Sequence, residues 1–431
     1  MAARTSARAQ VTAEFLSAPW KFATRQTYDK DTNPDGVISF ALAENKLVVP
    51  EVCDFVNRNK SVCKRHSLTE AQVTFEVDDF NYGNSERFPK ALAVHLTEYL
   101  QPCLPIEPAH VRATSSCSAL HDMLAWAVAD PGDAILLNRP IYGRFELDFG
   151  NREQIRVLYA DTDAETCLQV SAIEKYEEAL ADAAASGIKV RAILIVNPNN
   201  PLGQCYHRDT LVELMKLCQR HQIHLISDEV YACSVFPSDD PAAVPFTSLL
   251  SIDPRGLLDA DLLHVEYGFA KDFASGGMKL GALISRSQPV LNALDSLMRF
   301  HKPAGPILRM ACLMLEDRIW CRAYIDAMRG RIKEAHAHVT AELRNAGIPY
   351  LGGSNAGLFL WIDLGAHLPA ELDGEDNAEF ALAKKALAAG VFVHPTEEHA
   401  NKPGWFRLVY TQDPYMVTEG IRRLKSVMTS A

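Results

Sequence analysis

From about residue 67 to residue 300, short apolar runs alternate with helical stretches of ten or more residues, and this alternation constrains the chain more than any other feature. Ala134–Leu137 and Ala192–Val196 are continuous apolar runs of strand length, and Ile223–Ser227 reads as a further strand. Ala119–Ala129, Glu174–Ser186 and Asp209–His221 carry helical patterning between them. A strand that is apolar throughout is buried on both faces. Strands linked by helices run parallel, because only a long crossover can return the chain to the same end of a sheet. The stretch predicts βαβ units and a mostly parallel, helix-covered sheet. After Phe300 the pattern changes. A helix-rich span, Ile307–Asn345, precedes strand-like runs at Leu358–Leu364 and Trp405–Tyr410, as in a second, smaller α+β lobe.

Charge and cysteine placement narrow the function classes. Lys plus Arg number 43 against 54 Asp plus Glu, a net charge of −11, which argues against nucleic acid or an anionic membrane as the main partner. A small basic pocket for phosphate or carboxylate remains compatible with that balance. The ten cysteines are scattered with no C-x-x-C pair, as expected of reduced thiols. His221 and His224 are three residues apart but straddle a helix-to-strand junction, so no metal site is expected. Met1–Phe15 lacks the apolar core of a signal peptide and no apolar run reaches membrane-span length, so a cytoplasmic protein is expected.

Ligands of open parallel sheets bind where strands end and loops enter helices. Four segments occupy such places. Asn197-Pro198-Asn199-Asn200-Pro201-Leu202-Gly203 has two Asn-Pro steps that force an extended, sharply turned backbone able to aim the Asn200 amide at a ligand. In Ser227-Asp228-Glu229-Val230-Tyr231, Asp228 ends an apolar strand and needs a cationic or hydrogen-bonding partner. Lys271 lies among apolar and small residues between Tyr267 and Gly281. Desolvation there would lower its pKa, as a Schiff-base nucleophile requires, and Lys279 adds a second positive charge nearby. Thr114-Ser115-Ser116-Cys117-Ser118 opens a helix with small hydroxyl residues, which suits a phosphate. Each segment alone also fits a blander reading: a plain turn, an ordinary strand-end Asp, a surface lysine, an N-cap.

Together and in this order the segments resemble class I/II aminotransferases, fold-type I pyridoxal-phosphate (PLP) enzymes, most closely the 1-aminocyclopropane-1-carboxylate (ACC) synthase-like branch. Asn33-Pro34-Asp35-Gly36-Val37-Ile38 and Leu42-Ala43-Glu44-Asn45 carry that likeness at the N-terminus. Ala129-Asp130-Pro131-Gly132-Asp133, Asn200-Pro201-Leu202-Gly203, Asp228-Glu229-Val230-Tyr231, Gly357-Leu358-Phe359 and Gly404-Trp405-Phe406-Arg407 continue it. The resemblance implies an α/β, aspartate-aminotransferase-like fold. Residues 1–65 would form an N-terminal arm and part of the small domain. Residues 66–300 would form a large PLP-binding domain around a mostly parallel seven-stranded sheet, and 301–431 the C-terminal small domain. It also implies a homodimer with shared active sites and a small amino-acid-type substrate.

Roles follow residue by residue from the same resemblance. Lys271 would hold PLP as a Schiff base and then move the substrate α-proton. Asp228 would pair with the pyridine nitrogen, Asn200 and Tyr231 with the ring hydroxyl, and Tyr142 would stack on the ring. Cys117, Ser118 and Lys279 would bind the phosphate, with Tyr82 reaching it across a dimer interface. Arg407 would pair with the substrate carboxylate, and Glu44 matches the ACC synthase branch at the substrate side. The sequence departs from the family at Lys279, where an arginine is usual, and at Gly268 and Ala270, where serines are usual. Transamination is the default reaction. Carbon–sulfur lysis or ACC-synthase-type γ-elimination is the alternative, and a catalytically silent paralogue the third reading.

Overall fold

The computed structural model describes residues 26–58, 86–372, 374–375, 377–395 and 400–429. Its centre is a seven-stranded sheet. In chain order after the two-residue β1 (Ile38–Ser39), its strands are β2 (Val111–Thr114), β3 (Ala134–Leu137), β4 (Arg156–Tyr159), β5 (Val190–Val196), β6 (His224–Asp228), β7 (Leu263–Gly268) and β8 (Gly281–Ser285). Their spatial order is β2-β8-β7-β6-β5-β3-β4. Only β8 runs against the others, pairing antiparallel with both β2 and β7. Further on come β9 (Phe359–Asp363), β10 (Val391–Phe392) and β11 (Trp405–Val409). β9 and β11 form an antiparallel pair, and β10 pairs parallel with β1, joining residues 38–39 to residues 391–392.

The sheet forms as its sequence dictates. Ile193, Ile195, Leu225 and Val265 in the central strands are fully buried, and each such side chain contributes roughly 1.5–3 kcal/mol relative to exposure. The crossover helices present one apolar stripe to it. In the helix Arg208–His221 the buried Leu211, Leu214, Met215 and Cys218 recur at helical spacing, and Arg220 and His221 lie in the last turn, where positive charge suits the dipole. The helix-rich span after Phe300 is two helices, Gly305–Glu316 and Arg318–Ala346, separated by Asp317, whose side chain caps the second by accepting from Trp320 N. No helix among the described residues is long and apolar enough to cross a membrane.

The loop after β5 is tied to the chain before β9. Gly203 O accepts from both Asn355 N and Ala356 N, each at 3.0 Å. Gly203 has φ +67, and a Cβ there would lie 2.8 Å from Phe359 O and 3.0 Å from Ala356 O. Conformation and close approach both demand glycine. Gly203→Ala should therefore destabilise the fold by more than about 1 kcal/mol, read as a lower denaturation midpoint with an unchanged m-value.

Candidate active site

Five strands of one direction (β2, β3, β5, β6 and β7) deliver their following loops to the same edge of the sheet, where β8 begins. A cleft of ≈ 700 Å³ opens there. Among its lining residues are Cys117 and Ser118 after β2, Tyr142 after β3, Asn200 after β5, Asp228 and Tyr231 from β6 onward, Lys271 after β7, and Lys279 before β8. Arg407 enters from β11, and Ala41 and Ala43 from the segment after β1.

The Lys271 amine donates to Ala43 O at 2.8 Å and lies 5.9 Å from the centre of the Tyr231 ring. Burial, reinforced by Arg407, lowers its pKa from 10.5 to about 8, against opposing pulls from Asp228, Cys117 and Glu44. Arg407 is buried. Its Nη1 donates to Asn200 Oδ1 at 3.0 Å and its Nη2 to Ala41 O at 2.9 Å. The Asn200 amide is thus directed into the cleft by a guanidinium more than 200 residues away in sequence. Asp228 accepts from Val230 N at 3.2 Å. Burial, and then the nearby Glu266, push its pKa up to about 7.

The cationic neighbour that Asp228 calls for is His121, on the helix Cys117–Val128. Its Nδ1 lies 2.8 Å from Asp148 Oδ2 and its Nε2 lies 2.8 Å from Glu266 Oε2. Burial opposes the charged ring, but Glu266 and Asp148 together outweigh it and raise the pKa well above the usual histidine value. Polar atoms of His121, Asp228 and Glu266 lie within 4.8 Å of one another. His121 and Glu266 were not singled out from the sequence. In the run His264–Tyr267 polar and apolar residues alternate, so Glu266 reads there as an ordinary solvent-facing position of a strand. His221 and His224, on the two sides of the helix-to-strand junction, take separate partners, Glu177 and His264.

At the other end of the cleft, Ser116 caps the Cys117–Val128 helix by accepting from Ala119 N at 3.0 Å, and Lys279 stands exposed at the rim in the left-handed conformation, φ 51. Gly268 has a structural reason. It pairs in register with Gly281, and Cys117 fits between the two. A Cβ on Gly268 would lie 2.8 Å from Cys117 Sγ, and one on Gly281 would lie 2.8 Å from Cys117 N. The thiol takes the space that a side chain at 268 would need. Glu44 is exposed and does not line the cleft, although its charge reaches Lys271. Tyr82 lies outside the described residues. The nine cysteines among the described residues are all free.

Residues 57–424 match the family described as aminotransferase class I and II. The chain belongs to the class I and II aminotransferase family. It is 31% identical over 406 residues to 1-aminocyclopropane-1-carboxylate synthase 3 of Oryza sativa subsp. japonica, covering 91% of this chain and 87% of that protein. It is 30% identical over 409 residues to 1-aminocyclopropane-1-carboxylate synthase-like protein 1 of Homo sapiens, covering 93% and 78%. A relative from Mus musculus, 30% identical over 395 residues (89% of this chain, 64% of that protein), is named a probable inactive synthase-like protein 2. The fold is that of the aromatic aminotransferase of Pyrococcus horikoshii, with TM-score 0.74, 18% identity, and coverage of 94% and 97%.

The cofactor of the family is pyridoxal 5'-phosphate, and the aminotransferase cleft has the donor set to receive it. A half-buried amine, a buried carboxylate and a helix N-terminus with a lysine at the rim of the cleft match an aldehyde, a ring nitrogen and a phosphate. One oxygen of the buried Glu266 carboxylate, Oε1, has no partner among the described residues, which marks a site of surplus negative charge.

The depressed Lys271 pKa has a stability consequence with a definite sign. The folded chain binds fewer protons than the unfolded one between about pH 8 and 10.5, so the cost of burying the ammonium is full below pH 8 and vanishes as pH rises to 10.5. Lys271→Met should stabilise the cofactor-free protein at pH 7 by up to about 3 kcal/mol. The gain should shrink steadily above pH 8, as measured by denaturant melts across the range.

Proposed function

We propose that this chain is an amino-acid aminotransferase in which Lys271 holds PLP and moves the substrate α-proton while Arg407 binds the α-carboxylate. The observation that carries this reading is the convergence of a half-buried amine with a buried carboxylate, amide and guanidinium on one cleft, from β7, β6, β5 and β11. PLP, when bound, supplies an electron-poor ring that stabilises the negative charge left by the departing proton.

In this reading Asp228 faces the ring nitrogen, Asn200 and Tyr231 the ring hydroxyl, and Tyr142 the ring plane. Cys117, Ser118 and Lys279 hold the phosphate. Burial leaves Lys271 with a pKa of about 8, so a useful fraction of the amine is neutral near neutral pH and can accept a proton at Nζ. Arg407, held by Asn200 and Ala41, presents a planar fork suited to a carboxylate. Leu42, Val196, Leu280 and Phe392 contribute apolar lining that limits water around the amine. The division at residues 65 and 300, a cytoplasmic location and a homodimer with shared sites belong to the same proposal.

A second reading is elimination of a β- or γ-substituent, as in carbon–sulfur lysis or ACC formation. The 31% identity to the rice ACC synthase favours it. The two readings part on whether Lys271 Nζ would pass its proton on to the cofactor or a substituent would depart first. A silent member would have little use for the assembled Lys271, Asp228, Asn200 and Arg407.

Absorption spectra of the PLP-loaded protein with a panel of amino acids, combined with product analysis, test the reading. Pyridoxamine phosphate with a keto acid is the expected result. Retained PLP with ammonia, a thiol or a cyclised product would make the protein a lyase. Lys271→Ala should abolish the spectral response. Arg407→Lys should lower kcat/KM roughly 10²-fold, as for one partner of a buried charge pair, with the aldehyde-linked absorption kept.

A further inference from the structure

Glu266 is a carboxylate where the sheet calls for an apolar side chain. It lies in β7 between β6 and β8 and has 0% exposure. Its neighbour in register across the parallel β6–β7 pair is Asp228, so two acids stand side by side in the core. Beyond them His121 bridges Glu266 and Asp148, with both ring nitrogens at 2.8 Å from a carboxylate oxygen. Glu266 Oε1 has no hydrogen-bond partner among the described residues, and Oε2 has only the ion-pair contact with His121. A buried acid so poorly satisfied works against folding, and an apolar residue of similar volume usually serves stability better.

Among the described residues, the acids clustered at Asp228 outnumber the cations in direct ion-pair contact with them. Glu266 on β7, Asp148 on the helix Phe145–Gly150 and Asp228 itself contribute three carboxyl groups. They face the imidazole of His121, with Lys271 as the next cation and Arg407 farther across the cleft. Tyr231 and Cys117, also nearby, are held neutral by burial. Asp228 itself has no ion pair among the described residues, only the bond from Val230 N, so a positive charge placed against it would meet an unanswered carboxyl group.

We propose that Glu266 and His121 are positioning residues for the cofactor ring, which act through Asp228 by holding a second negative charge beside it and so retain the proton on the ring nitrogen. The proposal rests on the reading of Asp228 as the partner of that nitrogen. His121 fixes Glu266 in place while Asp148 anchors the opposite edge of the imidazole. The arrangement sacrifices stability of the empty fold for a stronger electron sink.

The test uses protein loaded with PLP carrying ¹⁵N in the ring, titrated across about pH 6–10 while the nitrogen shift is followed by NMR. In the wild type the nitrogen should stay protonated through most of the range. In Glu266→Gln its titration should move down by about one pH unit or more, and PLP should bind about ten-fold more weakly, the equivalent of one unit. Glu266→Leu provides a second, independent readout: the cofactor-free protein should melt at a higher temperature than wild type while losing PLP affinity. An unchanged nitrogen titration in Glu266→Gln, or a Glu266→Leu protein that binds PLP as tightly as wild type, would overturn the inference and leave the assignment of the cleft standing. A wild-type chain that took up no PLP would overturn both.

Discussion

Everything in this cleft depends on bringing ionisable groups out of water at one edge of a parallel sheet. A carboxylate or ammonium in that position is costly unless its neighbours answer it, and its pKa follows the neighbours it has. Lys271 is drawn down by burial and Arg407, while Asp228 is drawn up by burial and Glu266. Their ordinary values lie far apart, and their shared surroundings bring them towards the middle of the pH scale. Groups poised there exchange protons readily, and such convergence is characteristic of acid–base sites.

Parallel topology is what makes the concentration possible. Strands of one direction end together, so residues from five separate loops meet without any of them leaving its local structure. The antiparallel β8 adds a second device. Its first residue, Gly281, faces the last residue of β7, Gly268, and the two glycines form a slot for Cys117. That slot brings the N-terminus of the Cys117–Val128 helix against the strand that leads into Lys271. The departure from the family at Gly268 is therefore linked to the residue at 117. Nothing in the structure explains Ala270 or the choice of lysine at 279 in the same way.

Function and stability pull in different directions at several of these residues. Asp228 and Glu266 are buried, and Lys271 half-buried, ionisable groups that an ideal core would replace with apolar ones. The surrounding sheet, with Ile193, Ile195, Leu225 and Val265 fully buried, supplies the stability against which they are carried. Gly203, by contrast, serves both ends: its left-handed backbone is part of the turn that presents Asn200, and its carbonyl ties that turn to the chain entering β9.

The order of strands and helices, the mostly parallel sheet, and the family were legible in the sequence because they rest on local signals. Apolar runs, Asn-Pro steps and an acid at a strand end act through their immediate neighbours in the chain. Lys271, Asp228, Asn200 and Arg407 were legible for the same reason, as members of short motifs. Their partners were not. That Arg407 holds Asn200, that Ala43 receives the Lys271 amine, and that His121 stands between Asp148 and Glu266 join positions far apart in the chain. On the page, His121 is one polar residue on an apolar helix and Glu266 one acid in a strand. Glu44, read from motif alone, stands exposed outside the lining. The sequence by itself determined which elements form and which side chains stand at strand ends, because backbone sterics and apolar periodicity are local. Only the tertiary structure decided which of those groups share a low-dielectric space, and therefore which charges set one another's protonation.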